Sequence, residues 1–99
     1  MAKLKFVEEA GQDIERLTDF LLEIDVSAAI ETANLIVDAV SILRRHPLMG
    51  RSVGDGYREL IISRGRTGYV ALYAYDEASD LVLILAVRHQ RESGYWSQI

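Results

Sequence analysis

The residues of this chain that could do chemistry or grip a target are arginines, tyrosines and two histidines, and they are unevenly spread. Beyond residue 40 all eight cations are Arg, namely Arg44, Arg45, Arg51, Arg58, Arg64, Arg66, Arg88 and Arg91, against six acids. Residues 1–40 hold three cations, Lys3, Lys5 and Arg16, against nine acids. The net charge of −4 thus conceals an acidic first part at −6 and an Arg-rich remainder at +2. Such a partition lets the two parts face different partners, although it also suits two solvated faces. The stretch Arg88–Trp96 concentrates Arg88, His89, Arg91, Tyr95 and Trp96. Tyr, Trp and Arg dominate binding hot spots because each brings large area or a planar donor fork.

Several chemistries are excluded at once. With no Cys there is no thiolate nucleophile, disulfide scaffold or thiolate metal site, and a reducing, cytoplasmic setting is expected. Any catalysis must come from Arg, His, Tyr, Glu or Asp. His46 and His89 stand far apart with no paired ligand spacing, so neither metal nor cofactor is expected. The segments Gly54-Asp55-Gly56 and Gly65-Arg66-Thr67-Gly68 are short and precede strands, so neither places a phosphate on a helix N-terminus. No apolar run of 18 residues occurs and the N-terminus turns acidic after Val7, so neither a membrane span nor a signal peptide is expected. Ninety-nine residues at 49% hydrophobic suit one domain, 1–99, with a single core.

The elements that must position these groups follow from periodicity. Lys3–Val7 reads as a strand, with Leu4 and Phe6 on one face. Gly11 marks a break, after which Ile14, Leu17, Leu21 and Ile24 recur at helical spacing. Ser27 suits the N-cap of a second helix, with Ala29, Ala33, Ile36, Val40 and Leu43 on its stripe and Pro47 ending it. Residues 48–56 hold three Gly and read as a loop. Tyr57–Ser63, Tyr69–Tyr75 and Leu81–Val87 read as strands, the first two joined by a hairpin. The order β-α-α-β-β-β implies an α+β domain, a helical hairpin on a mostly antiparallel sheet. The expected core sets Leu17, Leu21, Ile36, Val40 and Leu43 against Val70, Leu72, Leu83 and Leu85. The stripe Tyr69, Tyr73 and Tyr75 fits core or cross-strand packing better than a base-stacking platform.

Three local motifs, in this order and spacing, carry a family resemblance. They are Leu43-Arg44-Arg45-His46-Pro47-Leu48-Met49-Gly50-Arg51, then Tyr57-Arg58-Glu59-Leu60, then Gly68-Tyr69-Val70-Ala71-Leu72-Tyr73, followed by the terminal Ala86–Glu92. Over almost its whole length the chain resembles the RelE/ParE superfamily, the small toxins of bacterial type II toxin–antitoxin modules. It is more similar to the ParE-like plasmid-stabilisation branch than to the RelE-like branch.

The resemblance implies a cytoplasmic toxin neutralised by a cognate antitoxin, with one of two activities. ParE-like toxins block DNA gyrase on cleaved DNA by protein–protein contact, without the toxin itself binding DNA. The groups available for that contact are Arg51, Arg58, Arg64, Arg88, His89, Arg91, Tyr95 and Trp96. RelE-like toxins cleave mRNA on the ribosome, which requires a base, a cationic phosphate clamp and an acid. Under that alternative Glu59 or His89 is the base, Arg58, Arg64 or Arg88 the clamp, and Tyr95 a stacking platform or acid. Lys is confined to positions 3 and 5, and the chain is acidic overall. Phosphate neutralisation is what draws a nuclease to the ribosome, so both features favour the gyrase-directed reading. Structural duty competes for the same residues. Arg51 can bond loop carbonyls, His89 can serve as an edge residue, and Arg58 and Glu59, adjacent in a strand, must point to opposite faces.

Overall fold

Val7, just past the first strand, is still extended, and the chain enters a helix at the next residue, with Glu8 and Glu9 at the positive end of its dipole. The computed structural model describes residues 1–64, 67–92 and 94–95. Strand β1 covers Lys3–Phe6 and helix α1 covers Glu8–Leu22. Gly11 is not a break: its N–H already donates to the Val7 carbonyl at 3.2 Å within the first turn. Helix α2 covers Val26–Ser41. Its N-cap is Asp25 and not Ser27, because Asp25 is the extended residue whose carboxylate accepts the Ala28 N–H at 3.3 Å. A 3-10 turn, Ile42–Arg44, tightens the C-terminal end before Pro47.

Four strands follow: β2 over Arg51–Gly54, β3 over Tyr57–Arg64, β4 over Thr67–Asp76 and β5 over Leu81–His89. The sheet order is β1-β5-β4-β3-β2, with β1 parallel to β5 and every other pair antiparallel. The architecture is the expected α+β one with an added strand. Strand β2 lies inside the glycine-rich stretch read as a loop; it is a short edge strand whose register shifts between Ser52 and Gly54. Gly54 and Gly56 take positive φ in the turn that follows, at 94° and 82°. The connection between β3 and β4 at residues 65–66 lies outside the described residues.

The core lies between the helices and one face of the sheet. Ile36, Val40 and Leu43 meet Ile62, Tyr69, Ala71, Tyr73, Val82, Ile84 and Val87, with Leu17 partly buried beside them. This corrects the expected sheet partners. Leu83 and Leu85 are only partly buried, and Val70 and Leu72, though buried, alternate onto the opposite face. Strand β5 is apolar on both sides, so its parity cannot be read, whereas the tyrosine stripe has the expected core role, with Tyr69 and Tyr73 buried and Tyr75 packed beside them. Tyr73 is fully buried because its hydroxyl is satisfied: it donates to the Pro47 carbonyl and accepts from the Gly50 N–H, both at 2.8 Å. A Cβ on Gly50 would stand 2.6 Å from the Tyr73 ring, which explains the glycine.

Along β5 the register slips by one residue: Leu72 pairs with Ala86 but Tyr73 with Ile84, leaving Leu85 as a bulge. Helix α1 covers the irregularity. Buried Asp13 accepts the Val87 N–H at 2.9 Å, and Arg16 donates to the Val87 carbonyl at 3.3 Å. The stretch Val26–Arg44 is long and apolar enough to cross a membrane by length and composition, against the expectation of no such run. Its buried Ile36, Val40 and Leu43 lie in the core.

Two stability outcomes follow from this geometry. Ile84→Ala is expected to cost about 2–5 kcal/mol and Leu83→Ala clearly less, read by urea denaturation; equal costs would put the core on the wrong face. Asp13→Ala strands the Val87 N–H and is expected to cost about 1–3 kcal/mol. Faster hydrogen exchange at Val87 is its local signature.

Candidate functional site

The groups singled out in the sequence divide across the sheet. Cross-strand partners share a face, so Glu59 lies with Leu72 and Arg51, and Arg88 with Val70, on the side away from the helices. Arg58 pairs with Tyr73 and His89 with Tyr69, on the helix side.

On the outer face Glu59, 8% exposed, is the centre of a cluster. Arg51 approaches one carboxylate oxygen with Nη2 at 2.8 Å and Nε at 3.3 Å. The Tyr95 hydroxyl donates to the other at 2.5 Å, and the Arg88 guanidinium lies 5.2 Å from the centre of the Tyr95 ring, within cation–π range. Arg88 also donates to the carbonyls of His89 and Glu92, at 3.3 and 3.1 Å, which fixes the chain where it leaves β5. Burial alone would push the Glu59 carboxyl up. The Tyr95 and Arg51 hydrogen bonds and the charges of Arg51 and Arg88 outweigh it, leaving the group below its ordinary range. Burial, with the Glu59 bond and charge, pushes the Tyr95 phenol well above its ordinary value, against the opposing pull of Arg88.

The other candidates have separate duties. Arg58 donates to the carbonyls of Gly50 and Leu48, at 2.7 and 3.2 Å, and braces the loop before β2. His89 meets Tyr69 edge-on, ring centres 5.3 Å apart, and its Nδ1 accepts the Arg91 N–H at 3.1 Å. Both rings line a groove of about 340 Å³ with Arg16, Leu17, Phe20 and Leu21. The Arg91 residue is exposed. Trp96 and the side chain of Arg64 lie outside the described residues. Among the described residues no cluster of His, Asp and Glu could hold a metal ion.

Chemically, the outer cluster holds an ionised carboxylate with both oxygens occupied and a phenol that keeps its proton. A general base needs a pKa near the working pH, and an acid needs a proton it can release. Glu59 and Tyr95 satisfy each other instead. The second candidate base, His89, is on the other side of the sheet. Sequence reasoning did not find Asp13, Arg16 and Glu92, where Glu92 accepts from Arg16 at 2.7 Å and from the His89 N–H at 2.8 Å. Nothing in the local pattern distinguishes them from solvated helix and tail charges.

Residues 4–94 match the family model described as the ParE toxin of the type II toxin–antitoxin system parDE. The chain belongs to this toxin family. Two curated relatives from Caulobacter vibrioides carry the other branch name. Toxin RelE3 is 33% identical over 92 residues, covering 93% of this chain and 98% of that protein, and Toxin RelE1 is 39% identical over 64 residues, covering 65% and 69%. Among solved structures, the toxin is similar to a chain of the chromosomal ParDE system from P. aeruginosa, with TM-score 0.71 and 22% identity over 88% of this chain and 94% of that one. It is also similar to a chain of the RelBE2 toxin–antitoxin complex of Mycobacterium tuberculosis, with TM-score 0.58 and 26% identity over 92% and 93%. The α+β fold of the toxin is thus that of the RelE/ParE superfamily.

The lowered Glu59 carboxyl sets a pH dependence. A carboxyl whose folded pKa lies below its unfolded one contributes stability above the unfolded pKa, about 4.3, and loses it as pH falls through the folded value. Tyr95→Phe removes the strongest opposing hydrogen bond, so Glu59 is expected to titrate at higher pH and acid unfolding to begin at higher pH. Carboxyl NMR titration beside a pH series of thermal melts checks both, and an unchanged Glu59 titration would remove Tyr95 from the cluster.

Proposed function

We propose that this toxin acts by occupying its target and not by turnover, that the target is DNA gyrase, and that a cognate antitoxin neutralises it. The observation that carries the reading is the locked state of the outer cluster: Glu59 has an Arg on one oxygen and a phenol on the other, with His89 behind the sheet. A side chain so held is a poor proton carrier and a good rigid surface, since groups already fixed lose little further freedom on binding. The match to the ParE family and the likeness to the P. aeruginosa ParDE system support gyrase. The likeness to a chain of the RelBE2 toxin–antitoxin complex of Mycobacterium tuberculosis supports an antitoxin. On this reading the acidic toxin leaves DNA contact to gyrase and acts in the cytoplasm, on neither nucleic acid nor membrane directly. The hot-spot types at the chain's end, Arg91 and Trp96 among them, are the proposed grip.

The second reading, cleavage of translated mRNA, is favoured by Arg51, Arg88 and Tyr95 standing on one face and by the RelE names of two relatives. Purified toxin added to gyrase and relaxed plasmid is expected to stop supercoiling and accumulate cleaved DNA in proportion to toxin. In a translating extract it leaves mRNA intact. Arg91→Ala and Trp96→Ala are each expected to weaken the gyrase effect several-fold, and His89→Ala to leave it nearly unchanged. Cleavage of mRNA only when it is translated, with gyrase unaffected, would reverse the assignment.

A further inference from the structure

His89, the last residue of β5, turns its ring to the helices, whereas Tyr95 lies on the outer face against Glu59. The chain changes sides between them through one tight turn, 89–92. The Glu92 N–H donates to the His89 carbonyl at 3.0 Å, and the His89 N–H donates back to one Glu92 carboxylate oxygen at 2.8 Å. The other carboxylate oxygen accepts from Arg16 Nη1, on α1, at 2.7 Å. The Glu92 carbonyl accepts from Arg88 Nη1, which reaches it from the outer face, at 3.1 Å. Glu92 is therefore held from both sides of the sheet, through its carboxylate by Arg16 and through its backbone by Arg88. The intervening residues are fixed too: the Gln90 N–H donates to the Gly68 carbonyl at 2.9 Å and the Arg91 N–H to His89 Nδ1 at 3.1 Å.

Two properties set this residue apart. The Arg16–Glu92 pair is partly shielded, with side chains 27% and 21% exposed, so its charge-assisted bond is screened less than a surface ion pair. Glu92 also lies outside the apolar core, so its removal loosens the turn and leaves the fold in place. Ordering the backbone from Glu92 to Tyr95 costs more than the Tyr95 contacts return, so Tyr95 depends on a turn already made.

We propose that Glu92 is a positioning residue for the face that meets the target: it sets the path of the tail, brings Tyr95 to Glu59, and presents Arg91 and the segment that carries Trp96. The functional half of this inference rests on the proposed grip at the chain's end; the geometric half does not. The side chain's chemistry fits the duty. A carboxylate supplies an acceptor to Arg16 and another to the His89 N–H, Gln supplies one oxygen, and Ala supplies none.

The test uses the full chain with its tyrosine rings isotope-labelled, and follows the Tyr95 phenol by NMR titration. In the unmodified toxin burial and Glu59 hold this phenol well above its ordinary value. Release from the outer face removes both causes, so Glu92→Ala is expected to bring Tyr95 down to about 10. Glu92→Gln is expected to fall between the two, and it carries the same readout if the Ala variant does not fold. Ile84→Val weakens the core without touching the turn and is expected to leave the Tyr95 titration where it was. In the supercoiling assay Glu92→Ala is expected to weaken inhibition several-fold. Adding Arg91→Ala to it is expected to cost less than Arg91→Ala costs alone, because the turn no longer presents that residue. An unchanged Tyr95 titration in Glu92→Ala would overturn the proposal. So would an equal shift in Ile84→Val, or a released Tyr95 with gyrase inhibition intact. An unmodified toxin without effect on gyrase removes the target alone, because the Tyr95 titration still decides the positioning.

Discussion

One extra residue in β5 decides what each face of this protein presents. Before Leu85, Val82 and Ile84 point into the core; after it, Val87 does, so Arg88 turns outward and His89 turns to the helices. Strict alternation from Val82 would exchange the last two and turn His89 to the face that carries Glu59. Asp13 and Arg16 of α1 hold the bulge in place by bonding the N–H and the carbonyl of Val87. A bulge leaves backbone groups out of the ladder, and a buried group without a partner costs about 1–3 kcal/mol. The helix therefore packs on β5 and also selects its register. The arrangement is closed by Glu92, which returns to Arg16 and to the His89 N–H.

A second constraint works at the other end of the sheet. Arg58 and Tyr73 together bond Pro47, Leu48 and Gly50, so the loop leaving the helical layer is bound to the sheet from beneath. That fixes where β2 begins and hence where Arg51 meets Glu59. The most exposed member of the outer cluster thus depends on a fully buried tyrosine. An Arg that looked like a phosphate clamp in the sequence is committed to carbonyls. Its guanidinium offers several donors in one plane, and two adjacent carbonyls use part of that fork.

The order of elements was legible because each segment shows one clear period and the breaks fall at Pro47 and the glycines. Misreadings arose where local and long-range forces compete. Gly11 is a poor helix former, by about 1 kcal/mol, yet it lies one turn inside a helix that packs on β5, and packing wins. Strand β2 has four exposed residues and no pattern of its own; only pairing with β3 makes it a strand. The sheet's core face was unreadable because β5 is apolar on both sides and the bulge breaks its parity. For the candidate site, the opposition of Arg58 and Glu59 follows from adjacency alone. The contact between Glu59 and Tyr95 spans 36 positions and leaves no local trace. Which of Arg88 and His89 shares the face of Glu59 depends on the bulge at Leu85.

The exposed apolar stripe of α2, through Val26, Ile30 and Val37, and the polar cluster of the sheet lie on different layers. The stripe of α2 belongs to the helical layer, and the cluster of Arg51, Glu59, Arg88 and Tyr95 to the far face of the sheet. Helix and sheet layers pack about 10 Å apart, so the core separates the two surfaces. Their charges differ as well: segment 17–43 of the helical layer carries five acids and no Lys or Arg, and two arginines frame the second. A partner drawn electrostatically to one is not drawn to the other. This gives the −6 and +2 partition a geometric meaning that a net charge of −4 hides.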